Sequence, residues 1–239
     1  MGARIGARSC PIRVSLIPER SVRVGLTAAQ PGAAARARGA FLLADISGYT
    51  GFLQGVAEAH QALIIDAPEA PAAYALMSSL LETIMTSVMP PFRLAKLEGD
   101  AVFGIAADAD LELRGGAVLA CLRACYAAFA ARMAEANSVW NCTCGSCARI
   151  HDLDLKFVLH HGEYIVQRVA GQEEFLGPDV NVAHRLLKNH AFELLGARPY
   201  ALLTDAALAS LEVSAEGMHP TVETYEHIPP IPVHILPLD

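Results

Sequence analysis

The run Phe41–Asp45, followed by Ile46, Ser47 and Gly48, constrains this chain more than any other stretch. Phe-Leu-Leu-Ala-Asp reads as a buried strand that ends on a carboxylate; a Gly turn follows, and a helix begins at Tyr49. A charge at the end of an apolar strand is costly to place without a partner. Asp45 therefore needs a site, and the groups that could share it become the main functional question.

The chain has 239 residues, 53% hydrophobic and 18% charged, so it can bury a sizeable core. Its net charge of −7 argues against nucleic-acid binding as its main business. Glu82, Arg123 and Arg132 interrupt the most apolar windows. No stretch therefore reaches the roughly 18 consecutive apolar residues of a membrane helix, and no membrane partner is expected. Residues 1–38 hold seven Arg, no Lys and one acid, broken by Pro11, Pro18 and Pro31. They read as a basic arm, either disordered or transit-like, and residues 39–239 as one folded domain without internal repeats. The arm lacks the continuous apolar core of a secretory signal, so the six cysteines are expected as free thiols in a reducing cytoplasm.

Past the first strand, Tyr49–Ala59 is expected to be helical, and residues 64–71 a loop rich in acid and Pro. Met77, Leu81, Ile84 and Val88 form one stripe of a helix over 72–89, stopped by Pro90-Pro91. Two strands, 92–97 and 101–106, flank Glu98-Gly99-Asp100 as a hairpin. A long helix over 113–136 carries Val118, Leu122, Cys125, Phe129 and Met133 in register. A strand over 153–159 is expected to turn at Gly162 into a second one over 164–169, with 170–177 as loop. Pro178 opens a helix running to about His190, and the Pro-rich tail from Val222 is strand-like at a sheet edge. The resulting order predicts an α/β (α+β) fold, a mixed sheet with helices packed against it.

Three groups of residues could carry chemistry. Asp45 ends the first strand and Asp100 opens the second strand of the hairpin; if those strands are neighbours, both carboxylates reach one end of the sheet. Two hard anionic oxygens there suit Mg²⁺ or Mn²⁺ with a nucleotide phosphate completing the shell, whereas singly Asp45 could cap a helix and Asp100 sit in a solvated turn. Lys96 shares a strand face with Phe92 and Leu94, either snorkelling from an edge or presented into a cleft. Asn181, Arg185 and Lys188 fall in line on one helix face, an arrangement suited to a phosphate or a developing phosphoryl charge, or simply a solvated face.

These stretches, in this order, resemble the catalytic domain of the class III nucleotidyl cyclases. Phe41–Thr50 is similar to that family's first metal-binding segment. Lys96-Leu97-Glu98-Gly99-Asp100 is similar to the segment with the purine-selecting Lys and the second metal Asp. His160-His161-Gly162-Glu163 resembles the strand and turn after the long helix, and Gly177–Leu186 the helix with the transition-state Asn and Arg. The resemblance covers about residues 40–237, and points to a short bacterial branch of cyclase-like proteins without an assigned function. It implies a ferredoxin-like sheet, two Mg²⁺ or Mn²⁺ ions held by Asp45 and Asp100 with the Ile46 carbonyl, and base recognition by Lys96. It also implies ribose orientation by Asn181, and charge stabilisation at the α-phosphate by Arg185. The implied activity is conversion of a nucleoside triphosphate, ATP above others, to a 3′,5′-cyclic nucleotide and pyrophosphate. The implied assembly is a homodimer whose two sites each take half their residues from each copy.

Two departures stand out. The position seven before Asn181, an Asp in adenylate cyclases, is Glu174, and the tail carries no Lys to grip the terminal phosphates, a role left to Lys188. Both also fit a nucleotide-binding or regulatory module with weak or no turnover. Outside the resemblance, Cys142, Cys144 and Cys147 with His151 close by could fill a tetrahedral Zn²⁺ site, act as a redox-sensitive cluster, or be inert loop thiols. A metal- or redox-responsive protein built on that loop is the third functional reading.

Overall fold

The structure, a computed structural model, describes residues 34–60, 72–139, 142, 144–196 and 199–238. The basic arm up to residue 33 and the acid- and Pro-rich loop lie outside the described residues.

The central strand β1 (Ala35–Ser47) pairs antiparallel with β3 (Ala101–Ala107) on one side and β4 (Asp154–Val169) on the other. Both of its faces are covered. Leu42, Ala44 and Ile46 enter one core and Phe41 and Leu43 the other, which is why the run is apolar without alternation. The strand starts at Ala35, so the sheet takes in residues 35–38, which the sequence reading gave to the arm.

Helix α1 (Tyr49–Ala59) leaves β1 through Gly48, whose φ of 85° is one that L side chains resist. Helix α2 (Ala72–Val88) buries Met77, Leu80, Ile84 and Val88. The expected hairpin is β2 (Arg93–Glu98) and β3, turning on Gly99 at φ 68°. Helix α3 (Gly116–Val139) lies against α2 and buries Val118, Leu122, Cys125 and Phe129. Among the described residues it is the one helix long and apolar enough to cross a membrane by length and composition; here those side chains fill the core between α2 and the sheet.

A 3₁₀ turn (Cys147–Asp152) leads into β4. Gly162 does not turn the chain, contrary to expectation: β4 runs unbroken through it for 16 residues. Gly is required there because a Cβ would collide with the side chain of Asp179. The turn comes later, at Ala170 and Gly171, both with positive φ, and returns the chain as β5 (Gln172–Leu176), paired with β4, where a loop was expected.

Helix α4 (Pro178–Arg185) tightens into a 3₁₀ turn (Leu186–Lys188) rather than continuing to His190. Short helix α5 (Ala191–Leu195) precedes β6 (Tyr200–Thr204), which lies parallel to β4, and α6 (Asp205–Ser210) follows. The Pro-rich tail forms an antiparallel pair at the sheet edge, β7 (His219–Tyr225) and β8 (Ile228–Pro237). The strand order is β2-β3-β1-β4-β6-β8-β7 with β5 on β4. Its first four strands form the expected ferredoxin-like βαββαβ unit. Helices α1–α3 and α6 pack with one core and α4 with the other.

Candidate functional site

Asp45 does find a partner, and it is one that sequence reasoning missed. Asp45 and Lys156 are cross-strand neighbours of β1 and β4, and Lys156 Nζ lies 3.0 Å from Asp45 Oδ2. Both side chains are largely buried, 15% and 16% exposed. The same Nζ donates to the Leu187 carbonyl at 3.0 Å, tying the sheet to the turn after α4. The available signal was a Lys in a strand buried on both faces; in the linear pattern it passed for the solvated side of a half-buried strand.

Asp100 joins this cluster through the backbone: its carbonyl accepts from the Ile46 N–H at 3.1 Å, where the β2–β3 turn meets the end of β1. Burial, and then the Asp45 charge, raise its carboxyl above the usual range, while Lys156 works in the opposite direction. Burial and the charge of Asp100 likewise raise the phenol of Tyr49, the first residue of α1. Two carboxylates and one ammonium therefore share the end of the sheet, a surplus of negative charge that suits a divalent cation.

Lys96 and Glu174 come together from β2 and β5, with Lys96 Nζ 3.8 Å from Glu174 Oε1. Arg93 and Glu173 pair at 2.8 Å on the same two strands. A bulge between Leu94 and Lys96 interrupts the alternation expected to put Lys96 on the Phe92 and Leu94 face. Two residues after Lys96, Glu98 Oε2 lies 3.2 Å from His184 Nδ1, coupling the hairpin to α4.

Helix α4 is fixed by its own acid. Asp179, in its first turn, accepts the Glu163 N–H at 2.7 Å through the space left by Gly162. Val180 and Ala183 are buried. Asn181, Arg185 and Lys188 line an open cleft of about 780 Å³ together with Glu226 and His227 of the β7–β8 turn. Neither Asp45 nor Asp100 lines it. The acidic cluster at the end of β1 and the polar to basic row on α4 and the turn after it are thus separate.

The cysteine loop also gathers, with one correction. The fourth group beside Cys142, Cys144 and Cys147 is His60, the residue that caps α1, and not His151. His151 Nε2 pairs instead with Asp152 at 3.3 Å. His60 lies more than 80 residues upstream of these cysteines, and only the packing of α1 on the 3₁₀ turn brings it close.

Comparison with solved structures shows the fold. The adenylyl cyclase CyaB from Pseudomonas aeruginosa is similar at a TM-score of 0.59 and 12% identity, over 84% of this chain and 94% of that one. The guanylyl cyclase Cya2 is similar at 0.56 and 12%, over 84% and 92%. A class III adenylyl cyclase-like ATP-binding protein from P. aeruginosa is similar at 0.52 and 15%, over 76% and 36%. The chain therefore has the class III cyclase fold. A family described as a protein of unknown function (DUF2652) matches residues 77–193. The uncharacterized protein Rv2561/Rv2562 of Mycobacterium tuberculosis is 32% identical over 165 residues, 68% of this chain and 73% of that one. At that identity and coverage, the chain belongs to the same family as this mycobacterial protein.

Proposed function

We propose that the protein is a nucleotidyl cyclase that converts a nucleoside triphosphate, ATP above others, to a 3′,5′-cyclic nucleotide and pyrophosphate at the interface of a homodimer. The observation that carries this is the split of the site. The paired acids Asp45 and Asp100 lie at the end of the central strand, and the Asn181–Arg185–Lys188 row lines a separate cleft. A second copy placed on the first would join each acidic half to the other's basic half. Exposed Leu94, Leu97, Ile165, Val169 and Leu176 on β2, β4 and β5 supply apolar surface for that contact.

The donor set fits Mg²⁺ or Mn²⁺: two carboxylates, with the Ile46 carbonyl as a further oxygen ligand, and an Asp100 carboxyl raised by burial and then by the Asp45 charge. Two such ions, bound there, would supply the charge that lets a ribose 3′-hydroxyl lose its proton and that neutralises the phosphates. A cation held by Asp45 would free Lys156, and its ammonium would then be available to pair with phosphate oxygens. Lys96 donates to the base and Glu174 accepts from it. Asn181 orients the ribose, Arg185 meets charge on the α-phosphate, and Lys188 on the same cleft meets the terminal phosphates.

The test is incubation with Mn²⁺ and each of ATP, GTP, CTP and UTP, with products identified by mass. A cyclic nucleotide from at least one is expected, lost in Asp45→Ala and Asp100→Ala, with Lys96→Ala changing the preferred base. A second reading, a nucleotide-binding module without turnover, is favoured by the direct Lys156–Asp45 pair, which already neutralises one of the two acids. Metal-dependent binding of a triphosphate that stays unconverted would select it.

A further inference from the structure

We propose that His60, Cys142, Cys144 and Cys147 form a structural Zn²⁺ site that fastens the end of α1 to the loop between α3 and β4. The four ligand atoms lie within 4.8 Å of one another. His60 Nε2 is 3.4 Å from Cys142 Sγ, 3.3 Å from Cys144 Sγ and 3.5 Å from Cys147 Sγ. A tetrahedral ion with Zn–S near 2.3 Å and Zn–N near 2.05 Å holds its sulfur and nitrogen ligands about 3.6 Å apart. The imidazole nitrogen thus sits almost equally far from three sulfurs, at close to the separation a shared ion imposes. A single hydrogen bond from one ring N–H would single out one sulfur.

The surroundings agree. Cys147 donates its backbone N–H to Cys144 Sγ at 3.3 Å, an outer-shell contact of the kind that orients a metal-bound sulfur. Cys147 is buried and the other three groups are half-buried. Three soft sulfurs and one imidazole select Zn²⁺ over Mg²⁺ or Mn²⁺, so this site does not compete with Asp45 and Asp100 for the same ion. Four protein ligands leave no open coordination position, which makes the site structural and not catalytic. Gly55 of α1 faces Ser146 closely enough that a Cβ would collide, so the helix and the loop meet in close contact beside the cluster.

The experiment reads metal, not nucleotide turnover, so its outcome is independent of the cyclase reading. Full-length protein purified without chelator is assayed for zinc, then exchanged with Co²⁺ for its visible spectrum. One zinc per chain and intense d–d bands of a tetrahedral thiolate site are expected. His151→Ala should keep the zinc, and Cys144→Ser should lose most of it. His60→Ala should also lose it, while His60→Cys, which restores a fourth soft ligand, should keep it and shift the Co²⁺ bands. Zinc-free folded protein that gives no Co²⁺ bands, a disulfide among the three cysteines in freshly purified protein, or equal zinc loss in His151→Ala and His60→Ala would each overturn the assignment.

Discussion

Replacing Lys156 by Met, which keeps most of the side-chain volume and removes the charge, tests the acidic half-site directly. At the observed 3.0 Å, an effective dielectric of about 20 gives a gross attraction of about 5.5 kcal/mol. Desolvation of the two charges takes back part of it. Stranding one member of a largely buried pair costs about 3–5 kcal/mol, and the residual exposure of 15% at Asp45 places the expectation near the lower end, about 3 kcal/mol. The deficit should depend on pH with a definite sign. Asp100 already has a carboxyl raised by burial and by Asp45, and Lys156 is one of the influences holding it down. A carboxyl whose folded pKa exceeds its unfolded value binds more protons when folded, so folding gains as pH falls through the folded value toward the unfolded one. Urea unfolding should therefore show the full deficit at about pH 7.5 and a smaller one at about pH 5. Mn²⁺ at ten times its dissociation constant should recover about 1.4 kcal/mol, because the ion replaces the missing ammonium. Asp45→Asn in the same background should be milder than Lys156→Met alone. A deficit below about 1 kcal/mol, or one that is the same at both pH values, would refute the claim that Lys156 neutralises a surplus of buried acid.

Gly162→Ala should cost about 2 kcal/mol or more in urea unfolding, since the new Cβ meets the Asp179 carboxylate that caps onto the Glu163 N–H. Thr204→Val should cost about 1–2 kcal/mol, because the hydroxyl both accepts the Ala207 N–H at the start of α6 and lies 2.9 Å from His160 Nδ1. Burial pushes the pKa of His160 down against the opposing pull of Asp179, so the unfolded chain takes up this proton more readily than the folded one. Stability should fall as pH drops below the ordinary His value of about 6.5, and His160→Gln should flatten that fall between about pH 7 and about pH 5. His190, whose pKa Glu223 raises, acts in the opposite direction and offsets part of that fall in the unmodified chain.

The sequence was most legible where one rule governed. The apolar run at Phe41 declared a strand covered on both faces, and Gly99 between two apolar runs declared a hairpin. The helical spacing of Met77, Ile84 and Val88 likewise placed α2. It misled where one residue type serves two purposes. Gly162 reads as a turn by habit, but it is small because Asp179 approaches β4 there, and the turn fell to Ala170-Gly171, where Ala takes a positive φ that its side chain disfavours. Glu174 looked like a loop residue until that turn made β5 and set it opposite Lys96. Lys156 and His60 were invisible for a different reason. Each pairs with groups more than 80 residues upstream or downstream, Asp45 for Lys156 and the cysteines for His60, brought close by strand register in one case and by helix packing in the other.

The proposed assembly of the site from two copies can be exposed by complementation. Asp45 and Lys156 sit in the two middle strands, while Asn181, Arg185 and Lys188 line a cleft closed on its far side by the β7–β8 turn. If each site draws its acids from one copy and its α4 row from the other, Asp45→Ala and Arg185→Ala each kill both sites of their own homodimer. Mixed and reassembled, half the dimers carry one copy of each variant. In those, one site bears both lesions and the other neither, so about a quarter of the wild-type rate should return. Adding a charge to the apolar strands, as in Leu176→Glu, should abolish that recovery along with the dimer, since a buried unpaired charge is costly at any interface. Mixed dimers that form, as seen by differently tagged copies co-purifying, yet recover no activity would mean that the two halves do not meet across the interface.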